Sequence, residues 1–106
     1  MSVVAVFKYA VKPGRMGDFM VKLGEAADPK YNSPVMPKTV RLFRSAVPGP
    51  DTSGVALHIE YEDTAAYGAR TAFENANADW RKLFEAQPDS PETLLSAELL
   101  VELQPG

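Results

Sequence analysis

The chain reads as one α+β domain in which a four-stranded antiparallel sheet carries two helices on one face, in the order β-α-β-β-α-β. Strand-length runs rich in apolar, β-branched and aromatic residues occur four times, amphipathic helical runs occur twice, and proline- and glycine-rich breaks separate them. At 106 residues and 45% hydrophobic content, the chain can bury one two-layer core and not two. Residues 1–106 are therefore taken as a single domain.

Strand one spans residues 3–11, Val-Val-Ala-Val-Phe-Lys-Tyr-Ala-Val, and stops at Lys12-Pro13-Gly14. From Arg15 to about Ala27, Met16, Phe19, Met20, Leu23 and Ala27 recur at three- and four-residue steps, the spacing of one helical face. Asp28-Pro29 ends that helix, because proline disfavours the helical conformation in the residue before it. A loop with Pro29, Pro34 and Pro37 leads to strand two, expected over 39–47. The polar turn of residues 48–54 returns the chain into strand three, 55–61, as an antiparallel hairpin. Strand three runs directly into a helix for which Asp63 is the expected N-cap.

The stripe of helix two is Ala66, Ala69, Phe73, Ala76, Trp80, Leu83 and Phe84, with the polar stretch Asn75 to Asp79 able to bend or break it. Ser90-Pro91 then reads as the cap and first residue of one short helical turn. The last strand is expected at about 95–103, with Ala97, Leu99, Val101 and Leu103 alternating against Ser96, Glu98, Leu100 and Glu102.

Composition narrows the function classes. Eleven Lys and Arg against 14 Asp and Glu give a net charge of −3, with the signs interspersed. The clustered basic stripe that nucleic acid or an anionic membrane requires is not there. No apolar run approaches the roughly 20 residues of a bilayer span, and the chain enters a strand pattern directly after Met1-Ser2, so a soluble, cytoplasmic protein is expected. With no cysteine and one histidine, disulfides, thiolate nucleophiles and iron–sulfur ligation are excluded, and no metal site is expected.

Strand one is apolar on both faces: Val4, Val6 and Ala10 on one, Ala5, Phe7, Tyr9 and Val11 on the other. A solvated second face would be mostly polar, so the sheet face away from the helices is expected to be covered by a second copy of the chain. In strand three, Leu57, Ile59 and Tyr61 form the apolar set that should face the helices. Ala56, His58 and Glu60 then point to the subunit-facing side, where Arg41 of strand two could join His58 and Glu60 in a polar patch of the dimer interface.

The Val11-Lys12-Pro13-Gly14 stop before a helix containing Phe19, the Glu60-Tyr61-Glu62-Asp63 close of strand three, the Ala66-Tyr67 start of helix two and the Ser90-Pro91 turn before the last strand together resemble the dimeric α/β-barrel superfamily. That superfamily has a ferredoxin-like fold and includes the antibiotic-biosynthesis-type monooxygenases, and the resemblance spans nearly the whole chain. It implies a homodimer with a substrate cavity between sheet and helices of each subunit, in which cofactor-free oxygenases bind an electron-rich phenol or quinol. It also implies a correspondence between Tyr61 and an aromatic residue, often tryptophan, that closes strand three in those enzymes. The polar residue that some of them carry four positions earlier falls on Leu57, which cannot hydrogen-bond a substrate. The oxygenase mechanism does not transfer unchanged.

Tyr9, Tyr61, Tyr67 and Trp80 are candidates to line such a cavity around a small apolar or aromatic ligand, offering apolar walls with hydroxyl and indole handles. Their alternative assignment is a filled helix-to-sheet core. Arg44 shares its parity with Leu42 and points toward the helix side, where its guanidinium could meet a carboxylate or carbonyl or lie along the rim. His58 is the one side chain whose ordinary pKa suits proton shuttling near neutrality. Catalysis and heme ligation are weighed against a strand histidine at the subunit contact. No cofactor is expected, since the chain lacks the glycine pattern and lysine of a phosphate cradle. Three readings follow: a cofactor-independent monooxygenase, a non-catalytic ligand-binding module of the same fold, and a structural homodimer.

Overall fold

The computed structural model describes residues 1–45, 54–103 and 105. Its order is β1 (Val3–Val11), α1 (Met16–Ala26), a 3-10 turn (Pro29–Tyr31), β2 (Thr39–Arg44), β3 (Gly54–Tyr61), α2 (Thr64–Ala76), α3 (Ala78–Phe84) and β4 (Glu92–Val101). The strands form one antiparallel sheet of order β2-β3-β1-β4, the ferredoxin-like arrangement. Most of the turn expected at residues 48–54, and the end of strand two at 46–47, fall outside the described residues.

Local chemistry explains the element ends. Gly14 turns the chain out of β1 with φ of 74°, a left-handed conformation in which a Cβ would be strained. The Asp63 carboxylate accepts from Ala66 N at 2.7 Å and starts α2 as an N-cap. Asn77 closes α2, and its side chain accepts from Trp80 N at 3.0 Å to open α3. The polar stretch thus breaks the long helix in two.

Two expectations near the C-terminus are corrected. Ser90-Pro91 begins no helical turn: Ser90 N donates to Gln87 O, and Gln87 N donates to Ser90 Oγ, so the serine closes a turn that precedes it. The last strand starts at Glu92, three residues earlier than expected. A bulge accounts for the mixed alternation there. Lys8 faces Ser96 but Tyr9 faces Leu94, so Leu95 is the extra residue, and Glu92 and Leu94 come round to the side of Tyr9 and Val11.

Register fixes the faces. Val3, Ala5, Phe7 and Tyr9 stand opposite Tyr61, Ile59, Leu57 and Val55. These two rows face the helices, because Phe19 of α1 packs on Tyr9, Val55 and Leu57, while Ala66 and Tyr67 of α2 pack on Val3, Ala5 and Tyr61. The strand-three parity read from the sequence is the observed one.

Charged residues displace some of the expected helix stripes. In α1, Phe19 is fully buried and Leu23 half-buried, but Met16 and Met20 are exposed while Lys22 is drawn inward. In α2, Ala69 and Ala76 are exposed and the inward stripe is Ala66, Tyr67, Arg70, Phe73 and Glu74. Phe19 is the plug of the α1 contact. Phe19→Ala is expected to cost about 3–5 kcal/mol, read as a lower urea midpoint with an unchanged slope; a loss below 1 kcal/mol would show that α1 is not anchored through this ring.

Candidate functional site

The interior on the helix side divides in two. One cluster is built on Tyr9, Phe19, Val55 and Leu57, the other on Val3, Ala5 and Tyr61. Phe7 and Ile59 lie between them at the middle of the two central strands, touch both clusters, and are nonetheless only half-buried. Mid-sheet residues under a close-packed helix layer would be the most enclosed in the molecule. Their partial exposure shows that the helix layer leaves an apolar recess over the middle of the sheet incompletely covered.

Polar groups border this recess. Tyr61, 3% exposed, and Tyr9, 8% exposed, make no side-chain hydrogen bond through their hydroxyls to another described residue, and neither hydroxyl is among wholly buried atoms left without a partner. Both phenols are pushed up to about 12. For Tyr9 the cause is burial, then the charges of Glu92 and Glu74. For Tyr61 it is burial, then Glu74, with Arg70 acting in the opposite direction and Tyr67 adding to the rise. Glu74 is therefore close enough to influence a tyrosine at each end of the recess. Its own carboxyl is raised by burial and drawn back by the charge and hydrogen bond of Arg70.

Among the described residues Arg70 is the buried charged residue, at 3% exposure. Its Nε donates to Glu74 Oε2 at 3.0 Å, and its Nη1 donates to Tyr31 O at 2.6 Å and Ser33 Oγ at 3.1 Å, with Met36 S at 3.4 Å. The guanidinium also lies 4.8 Å from the Phe73 ring centre and 5.3 Å from that of Trp80. It ties the segment after the 3-10 turn to both C-terminal helices. Beside Tyr9, Lys22 of α1 and Glu92 of β4 form a second enclosed ion pair at 2.8 Å, which the β4 bulge makes geometrically possible.

The residues singled out in the sequence are distributed over several places. Tyr61 and Tyr67 meet edge-to-face at 5.5 Å at one end of the recess. Tyr9 packs on Phe19 at 5.1 Å at the other. Trp80 packs instead against Tyr31 at 5.2 Å and Phe84 at 5.0 Å. Arg44 stands opposite Val55 and is exposed. On the opposite sheet face His58 pairs in register with both Val6 and Arg41.

The His58 ring lies 4.8 Å from Phe43, and the Arg41 guanidinium is 5.3 Å from that same phenyl ring. Glu60 accepts from Thr39 Oγ1 at 3.3 Å and has Lys38 Nζ at 3.9 Å. Among the described residues His58, Arg41 and Glu60 share a face but form no hydrogen bond with one another.

Sequence reasoning missed Arg70, Glu74, Tyr31 and the Lys22–Glu92 pair. The available signal was the i,i+4 spacing of Arg70 and Glu74, in line with Ala66, Tyr67 and Phe73. An apolar-stripe reading discards charged residues at such positions. A separate cleft of about 310 Å³ between α1, α3 and the 87–91 turn is lined by residues of both signs, including Arg15, Asp18, Lys82 and Glu85, and offers no defined ligand chemistry. Among the described residues, no group of three or more His, Cys, Asp or Glu is placed to hold a metal ion, and no helix is long and apolar enough to cross a membrane.

The raised phenols make a pH prediction. A tyrosine whose folded pKa of about 12 exceeds its ordinary 10 gives stability that is fully present below pH 10 and lost as pH rises through 12. The loss is about 2–3 kcal/mol per ring. Urea unfolding between pH 9 and 12 should show it, and Tyr9→Phe should remove about half; an identical alkaline profile in the variant would contradict the assignment.

Comparison with models of known protein families gives no match, and neither does comparison with curated proteins. Solved structures do match over almost their whole length. One, provisionally named an antibiotic biosynthesis monooxygenase, from Bordetella bronchiseptica, is 21% identical with a TM-score of 0.63, over 97% of this chain and 98% of that one. An uncharacterized NIPSNAP-like domain protein from Burkholderia xenovorans is 18% identical with a TM-score of 0.67, over 99% and 90%. A dimeric ferredoxin-like protein from an uncultured marine organism is 14% identical with a TM-score of 0.66, over 97% of each chain. The chain thus has the ferredoxin-like fold shared by antibiotic-biosynthesis-monooxygenase-type and NIPSNAP-like proteins.

Proposed function

We propose that this protein is a homodimeric α/β-barrel protein that binds a small hydroxylated aromatic or polyketide-like metabolite in the recess over Phe7 and Ile59 and oxygenates it without a cofactor. The observation that carries the reading is the divided core, whose mid-sheet floor stays accessible while both ends are closed by aromatic rings. An apolar floor with a few convergent polar groups is the common form of a small-molecule site. Solved relatives named as monooxygenases support the choice of reaction. The protein would supply orientation and proton management, and the electron-rich substrate would itself reduce oxygen: one oxygen atom enters a ring carbon, and the other leaves as water with one hydrogen from that carbon and one from the phenol O–H, giving a quinone.

Leu57 takes no polar part in this scheme, being buried in the cluster with Tyr9 and Phe19. Tyr9, Tyr61 and Tyr67 are proposed as cavity walls; Trp80, packed on Tyr31, would support them from behind. Arg44 is left to the rim.

Dimerisation through the open sheet face is part of the same proposal. That face carries the exposed side chains of Phe43 and Leu100 and the half-buried Val4 around His58, and leaving such apolar surface wet costs about 25 cal/mol per Å². One solved relative is described as dimeric.

Oxygen uptake over a panel of quinols, phenols and anthrones tests the reaction: uptake with one or more is expected, and none with any compound that demonstrably binds would reject the oxygenase in favour of a binding module. Sedimentation tests the interface, where His58→Ala should weaken the dimer about tenfold by stripping the ring from Phe43; an unchanged dimer constant removes His58 from the contact.

A further inference from the structure

We infer that Glu74 receives the ligand's hydroxyl in the recess, as hydrogen-bond acceptor and then as proton acceptor, and that it makes the site selective for neutral phenols and enols over aromatic carboxylates. The inference rests on the ligand-binding reading above and adds to it the residue that reads the ligand's polar end. Glu74 lies on the inward stripe of α2. Its Oε2 is occupied by Arg70 Nε at 3.0 Å, whereas Oε1 accepts from no described residue. The carboxylate is thus held in one orientation with one oxygen available.

Its tether is itself immobile. Arg70 is fixed by Tyr31 O and Ser33 Oγ and flanked by the rings of Phe73 and Trp80, so the acceptor is positioned before a ligand arrives, the condition under which a charged hydrogen bond is most effective. The surroundings set the selectivity. From β1 and β3 the groups that sense Glu74 are the phenols of Tyr9 and Tyr61, and beyond Tyr9 the charges of Lys22 and Glu92 are committed to each other. The cation facing Glu74 is therefore Arg70. A neutral hydroxyl finds an acceptor there; a carboxylate meets a like charge in partly desolvated surroundings.

The proton step balances within the site. The ligand O–H bond breaks, its proton passes to Glu74 Oε1, and the electron pair remains on the ligand oxygen as an aryl oxide or enolate, with the Arg70 guanidinium nearby to offset the charge. Burial raises the Glu74 carboxyl above the ordinary carboxylate range, which brings it nearer to the acidity of a phenol.

Titration of the full chain with 2-naphthol and 2-naphthoate at pH 8 tests this without any substitution. The wild-type protein is expected to bind naphthol at least tenfold more tightly. Glu74→Gln keeps the side-chain shape and an acceptor oxygen for Arg70, and is expected to raise naphthoate affinity at least tenfold and abolish the preference. Because burial raises the Glu74 carboxyl, lowering the pH should weaken naphthol binding in the wild type and leave Glu74→Gln flat.

His58 lies on the opposite sheet face, so the flat profile of the variant assigns the pH dependence to Glu74. Equal binding of both ligands, or a preference that survives Glu74→Gln, overturns the role of Glu74 and leaves the ligand site intact. Binding of neither overturns the ligand site and this inference with it.

Discussion

A guanidinium at 3% exposure holds the helical layer of this protein together. Arg70 reaches from the middle of α2 to the carbonyl of Tyr31 and the hydroxyl of Ser33, and is enclosed by aromatic rings of α2 and α3. An ion this deeply placed must have its hydrogens met, because an unmatched buried charge costs several kcal/mol. The constraint runs both ways. The irregular segment that follows Tyr31, through Met36, is drawn onto the helices by the arginine; the break at Asn77 brings Trp80 round to Tyr31 and the same cation.

The recess follows from how few places the helices touch the sheet. Phe19 seats α1 at one end, over Tyr9 and Leu57, and Ala66 with Tyr67 seats α2 at the other, over Tyr61. Between these contacts α2 presents the Arg70–Glu74 pair beside Phe73, and Phe7 and Ile59 are left half-covered. A charged pair facing an apolar floor is a poor way to fill a core. The proposed ligand, carrying its own polar end, would match this contrast between floor and roof.

Relatives below 25% identity with the same arrangement establish the architecture and leave the chemistry to the side chains. In this chain Leu57 belongs to the packed cluster around Phe19, and the buried guanidinium sits on α2. His58, with the most accessible proton chemistry by composition, stands on the other side of the sheet against Phe43.

Much of the fold was legible in the sequence because strand parity is a strict two-residue rule. Leu57, Ile59 and Tyr61 had to share a face, and one good N-cap at Asp63 located the following helix. The helix stripes were less legible, since Met16, Met20, Ala69 and Ala76 satisfy helical spacing yet point outward, while Lys22, Arg70 and Glu74 point inward. Apolar periodicity carries no term for a charge that finds its partner on another element. Lys22 is enclosed because Glu92 lies 70 residues away on β4, turned inward by a bulge at Leu95, and Arg70 is enclosed because a backbone carbonyl 39 residues earlier accepts from it. Local spacing set the order of the strands, the sheet faces and the side of His58. Which polar residues the interior holds follows from the folded arrangement, because their burial depends on partners brought together from distant parts of the chain.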